Sequence, residues 1–233
     1  GTGGTVSIGA TNNMFTGGVS MDGGTFQTTG AATLGNTFAL GAGGGTFDIG
    51  AATTLNGVIS GAGALTKIGS GNLTLGGANS YSGGSTVSAG TLTGTTTSLQ
   101  GNIVDNAAVV FDQTTTGTYA GNLTGTGTVT KNGTGTVTFS GNNTYSGATA
   151  INGGILAVGP TGIGDSSAVT VTAPGTLQLN ANETIGSLAG NGAVTGNFAL
   201  TSGGNNGTTS FSGPLTIGTL NKAGTGNFSL TGT

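Results

Sequence analysis

Apolar and polar residues alternate along this chain in short bursts. Val6-Ser7-Ile8, Phe47-Asp48-Ile49, Leu73-Thr74-Leu75, Val137-Thr138-Phe139, Val169-Thr170-Val171, Leu177-Gln178-Leu179 and Phe228-Ser229-Leu230 each set one polar residue between two apolar ones. A period of two sends successive side chains to opposite faces, so each triplet predicts a short strand with one face buried and one in water. Glycine, asparagine or serine-glycine punctuation around the triplets predicts turns. Leu73, Leu75, Val137 and Phe139 are therefore expected inside, with Thr74 and Thr138 outside. Apolar residues at helical spacing never persist beyond a turn, and the strong helix formers Lys, Glu, Arg and Gln are almost absent. The pattern predicts an all-β protein.

The strands fall within a longer repeat. Residues 59–92 read ISGAGALTKIGSGNLTLGGANSYSGGSTVSAGTL, and residues 123–156 read LTGTGTVTKNGTGTVTFSGNNTYSGATAINGGIL. At a constant offset of 64 and without a gap, Lys67 falls on Lys131, Gly69 on Gly133, Tyr81 on Tyr145 and Gly90 on Gly154. An incomplete copy opens at Leu220, and its Lys222 takes the same place. The three basic residues of the chain thus share one repeat position.

Composition narrows the class. Of 233 residues 53 are glycine and 4% are charged, a balance that alone fits a disordered chain. The 33% that are hydrophobic are concentrated in the triplets, which argues for order. A net charge of −3 argues against nucleic acid, because nothing here neutralises a run of phosphates. No apolar run approaches the ~20 residues of a membrane-spanning helix. The absence of cysteine and the low charge suit a secreted protein, expected here as a segment of a longer precursor. No linker or charge block divides residues 1–233, so one domain is expected.

Short strands with glycine corners suit a sandwich, a barrel, a propeller or a solenoid. A 64-residue repeat divides into about three rungs of roughly 21 residues, the size of a small stacked unit. Asn-Gly pairs between long alternating strands are sparse, which disfavours hairpins. These features favour a parallel β-helix (β-solenoid) of about eleven coils, a rod of roughly 50 Å.

The string from Leu65 to Gly84, Leu-Thr-Lys-x-Gly-x-Gly-x-Leu-Thr-Leu-x-Gly-x-Asn-x-Tyr-Ser-Gly-Gly, resembles the autotransporter-associated β-strand repeat of bacterial type V passenger domains. It recurs from Val129 to Ala148 and begins again at Leu220, while residues 107–119 and 183–214 resemble the spacers between such repeats. The resemblance implies a right-handed parallel β-helix, exported through an outer-membrane β-barrel and displayed at the bacterial cell surface.

Candidate chemistry is sparse. Without His or Cys, the commonest bases, thiolates and transition-metal ligands are missing. The acidic residues are Asp22, Asp48, Asp105, Asp112, Asp165 and Glu183. Asp105 and Asp112, at the ends of one apolar run, read either as turn caps or as a glycosidase-like carboxylate pair. Residues 43–48 glance at a Ca²⁺-binding nonapeptide, but that array must repeat and this one does not. The lysines read as solvated gatekeepers against edge pairing, or as binders of an anionic glycan. Tyr81 and Tyr145 read as corner packing with the hydroxyl in water, or as a sugar platform. Outward Thr-x-Thr runs suit ice binding only if they persist in every coil, and those of the second repeat do not. With so few ionisable groups, all expected on the surface, stability should depend little on pH.

No cofactor, metal or catalytic residue is assigned. The expectation is a non-enzymatic extracellular stalk, structural or adhesive, whose partners are a host surface or glycan. The alternative is a fibre subunit that polymerises end to end, its open edges formed by Gly1, Val6 and Ile8 and by Phe228, Leu230 and Thr233. A carbohydrate-active β-helix is the third reading.

Overall fold

The computed structural model describes residues 3–9 and 17–232; Gly1 and Thr233 lie outside the described residues. Among these residues there is no helix, and the strands stack in parallel as a β-solenoid of about eleven coils. The chain divides into two compact units, residues 1–110 and 111–233.

In the first unit a coil is built from three short strands, such as Gly45–Ile49, Thr53–Leu55 and Ile59–Gly61. Each pairs with the strand one coil away: Phe26 stands beside Phe47, Leu34 beside Leu55, and Phe38 beside Ile59. Every second residue points inward, so Phe26, Phe38 and Phe47 meet in the core with ring centroids 5.1–6.1 Å apart. Leu73 and Leu75 are buried and Thr74 is half-buried on the outside, as the triplet pattern predicts. Each such side chain contributes roughly 1.5–3 kcal/mol of burial.

Three successive coils from Thr46 through Thr66 and Thr86 to Val104 occupy 58 residues. The 64-residue repeat is therefore not a whole number of coils, and the division into three equal rungs is corrected. The apolar run 102–113 is not one strand but two, Ile103–Asp105 and Ala108–Asp112, parted where the Asn106 amide bonds the Val87 carbonyl.

The second unit follows the same rules. Thr128–Asn132, Thr149–Ile151 and Ala168–Val171 stack on one face, and Thr136–Phe139, Ile155–Val158 and Thr176–Leu179 on another. Its aromatic cluster is Phe111, Tyr119 and Phe139, with centroids 5.0–6.1 Å apart. Val137 and Phe139 are buried, and Thr138 is half-buried on the outside.

Candidate functional site: the inward polar joints

The repeat positions that look like surface chemistry face the interior. Lys67 and Lys131 are fully buried. The ammonium of Lys67 donates to the carbonyls of Ile68 and Gly69, both at 2.7 Å, and of Ala89 at 3.1 Å. Lys131 repeats this with Asn132 at 2.6 Å, Gly133 at 2.9 Å and Gly153 at 3.1 Å. An ammonium has three protons and here each finds an acceptor, two on its own coil and one on the next. The gatekeeper reading is thus wrong for both residues, because a charge this fully partnered is cheaper inside than an unsatisfied one. Burial pulls the Lys67 pKa down to about 8, against the opposing pull of Asp48. It lowers Lys131 in the same way, opposed by Asp112. Both aspartates stand 19 residues before their lysine.

The corner each lysine caps requires glycine. Gly69 and Gly133 have φ of +77° and +75°, and an added Cβ would sit 2.5 Å from the Ile49 carbonyl oxygen or 2.4 Å from that of Gln113.

Tyr81 and Tyr145 are buried as well, which removes the sugar-platform reading. Their hydroxyls meet protein rather than water: Tyr81 Oη bonds Ser85 Oγ at 2.8 Å, and Tyr145 Oη bonds Thr149 Oγ1 at 2.7 Å. Burial raises the Tyr81 pKa. Two residues before each tyrosine lies a buried asparagine. Asn79 accepts the Ile59 amide at 2.8 Å and donates to the Ser98 carbonyl at 2.8 Å. Asn143 accepts the Leu123 amide and donates to the Gly162 carbonyl, again at 2.8 Å each. One side chain thus ties three coils.

The model of the passenger-associated-transport-repeat matches residues 65–93 and 129–158, the windows that hold these joints. Adhesin BmaC autotransporter of Brucella suis biovar 1 (strain 1330) is 38% identical over 207 residues, 88% of this chain. The chain carries the passenger-associated-transport-repeat twice. It spans 5% of the length of that adhesin. No solved structure matches it.

In each complete passenger repeat, then, lysine, glycine and asparagine serve contacts between coils, and tyrosine is buried beside them. Lys222, in the incomplete copy, is exposed and donates to the carbonyls of Ala223 and Gly224 only. The carboxylates divide in the same manner. Asp112 is exposed, whereas Asp105 is fully buried and not open to substrate, so the two do not form an accessible catalytic pair. Asp105 Oδ1 accepts the Ala107 amide at 3.0 Å, as a turn cap should, and Oδ2 has no partner. Burial drives its pKa up to about 6 despite that bond. Among the described residues no cluster of three or more acidic side chains could hold a metal ion.

Of the candidate edge residues, Val6 is 50% and Leu230 56% exposed, Phe228 is half-buried, and Ile8 is buried. The strands Thr5–Ile8 and Phe228–Leu230 each close one end of a sheet. Sequence reasoning missed the asparagine joints and the aspartates at minus 19, although the 64-residue offset relates Asn79 to Asn143 and Asp48 to Asp112. It also missed a threonine row, since Thr5, Thr25, Thr46, Thr66 and Thr86 stand in register on the outside of the first unit.

Proposed function

We propose that residues 1–233 are a non-catalytic, adhesive or structural stretch of an extracellular passenger, displayed on a bacterial surface or released from it. One observation carries this reading. The repeated lysine, asparagine and tyrosine of both complete repeats face inward, the first two joining coils, which leaves an outer surface of threonine, serine and asparagine. Such a surface suits contact with a host surface or glycan and offers no activated nucleophile or accessible acid pair. The relative's designation as an adhesin supports the same reading. Beads coated with the purified chain should adhere to cultured epithelial cells above beads coated with albumin. Release of reducing ends from a panel of neutral and anionic glycans would instead sink the non-catalytic reading.

A second reading, end-to-end fibre assembly, is favoured by the exposed apolar edge. Phe211, Pro214, Leu215 and Leu230 line a depression there, and the strand edge beside it offers backbone groups for β-addition. Filaments in electron micrographs that a Leu230→Asp variant fails to form would support assembly. A monodisperse monomer at high concentration would rule it out.

A further inference from the structure

One corner of the second repeat is longer than its counterpart in the first. Leu99 and Ile163 are buried residues related by the 64-residue offset, as are Ser85 and Thr149. Ser85 pairs with Ile103, four residues after Leu99, whereas Thr149 pairs with Val169, six residues after Ile163. The second corner therefore carries two extra residues before its strand, and Asp165 and Ser166 stand in that stretch. They form one wall of a hollow of about 270 Å³ that Asn142, Asn143, Thr144 and Thr161 complete.

The corner is held from behind. The Asn143 amide donates to the Thr161 carbonyl at 3.0 Å, and its side chain donates to that of Gly162 at 2.8 Å. Glu183, which follows Asn143 in this column of joints, is buried and accepts the Ile163 amide at 2.9 Å. Ser167 bonds the Gly164 carbonyl through its amide and the Thr149 hydroxyl through its own, at 2.8 Å each. Backbone fixed in this way keeps the wall in one shape before any ligand arrives. The side chains facing the hollow have no such ties. Asn142, Thr144, Thr161, Asp165 and Ser166 are exposed, and none of these five side chains hydrogen-bonds another described residue. Outward polar side chains elsewhere pair coil to coil, as Ser7 does with Gln27, Gln27 with Asp48 and Thr93 with Asn72. The first repeat's corner closes on itself instead: the Gln100 side chain donates to the Thr97 carbonyl, and the Ser98 hydroxyl accepts the Thr95 amide. Ala78 stands there at the position of Asn142.

We propose that the hollow is a subsite for one unit of a neutral glycan, an inference that rests on the adhesive reading above. The Asp165 carboxylate can accept from two adjacent sugar hydroxyls, while the Asn142 amide and the hydroxyls of Thr144, Thr161 and Ser166 donate or accept as the sugar requires. The volume falls just under the roughly 300–1,000 Å³ of sites that take a drug-sized ligand, which suits a single sugar ring. Asp165 is the one charged residue of the lining and Glu183 lies near it, so a sulfated, phosphorylated or uronic acid unit is repelled.

Glucose, galactose, mannose and N-acetylglucosamine, each titrated to about 50 mM into the ¹⁵N-labelled chain, test this. At least one should shift the amides of Thr144, Asp165 and Ser166 saturably and leave those of residues 97–102 unmoved. Asp165→Ala should weaken that sugar on the order of tenfold or more, with the rest of the amide spectrum unchanged. Asn142→Ala, which copies the first repeat, gives an independent reading of the same loss should the first variant not fold. The proposal is overturned by no saturable shift from any of these sugars, by equal shifts at both corners, or by undiminished affinity in the variants. Bead adhesion separates this inference from the reading beneath it. Beads that adhere to cells when no sugar binds leave the adhesive reading standing and remove the subsite. A sugar held at Asp165 by a chain whose beads do not adhere leaves the subsite standing and removes the adhesive reading.

Discussion

Lys67 and Lys222 are the same residue at the same position of one repeat, and they end in opposite surroundings. Lys67 is sealed in the core with three carbonyls around its ammonium, and the third comes from the coil that follows. Lys222 has two carbonyls, both its own, and is exposed. Eight residues beyond each lysine the contrast recurs: Leu75 is buried, Phe139 is buried, and Leu230 is 56% exposed. A coil of this protein is thus half of a structure. Its side chains are those of a core residue or a surface residue according to whether another coil lies against it.

Mutating both members of such pairs separates the coil's own contribution from its neighbour's. The largest difference should come from Leu75→Asp against Leu230→Asp. The first buries an unpaired charge and removes a packed side chain, costing more than about 4 kcal/mol. The second places a charge at the edge and should cost under about 1 kcal/mol. Chemical denaturation of the two variants measures both.

Lys67→Met against Lys222→Met comes next. Methionine keeps the length but leaves the carbonyls of Ile68, Gly69 and Ala89 without their donor, a loss of about 3 kcal/mol; at Lys222 the change should stay under about 0.5 kcal/mol. Equal losses would mean that the third, cross-coil bond contributes nothing. Gly69→Ala should cost about 1–3 kcal/mol, from positive φ and from the Ile49 carbonyl in the way of the new methyl. Tyr81→Phe should cost about 1 kcal/mol, because it removes the partner of the Ser85 hydroxyl and a long, 3.4 Å acceptor of the Gln100 amide. Thermal melts resolve both.

The most diagnostic effect is on pH. Asp105 and Glu183 have folded pKa values raised to about 6 and about 7, so the folded chain holds these protons more tightly than the unfolded chain. Their destabilisation is complete above pH 7 and is relieved as the pH falls toward 4. The pKa of Lys67 is lowered to about 8, so its penalty is complete below 8 and relieved as the pH rises toward 10.5. The melting temperature should therefore pass through a minimum near pH 7–8 and rise on either side. A profile flat from pH 4 to 10 would contradict the burial of these three groups. The expectation of pH-insensitive stability from the sequence is corrected by their location.

The strands and the all-β solenoid were legible because period-two alternation depends only on which residues are apolar, and Leu73, Leu75, Val137 and Phe139 lie where that rule puts them. The lysines were misread because charge is a reliable sign of exposure only when no cage of acceptors exists. The cage is made of backbone carbonyls, Ile68, Gly69 and Ala89, which every sequence has and none displays. Asn79 was hidden for the same reason: its partners, the Ile59 amide and the Ser98 carbonyl, are 20 and 19 residues away and are not side chains. Glu183 breaks the residue type of that column and left no repeat signal at all.

The joints also have a mechanical meaning. Contacts that run only between adjacent coils let a chain pulled from one end peel a coil at a time. Each coil of 20 residues, as from Thr46 to Thr66, yields roughly 70 Å of contour. Lys67 and Lys131 stand 64 residues apart, so the peeling front meets a charged clasp once in every roughly 220 Å of released chain. Between clasps it has ladder bonds, an asparagine joint such as Asn79 and one or two apolar side chains per strand to break. Under tension such a chain lengthens in small steps punctuated by stronger stops. It absorbs load gradually where a single cooperative core would fail at once.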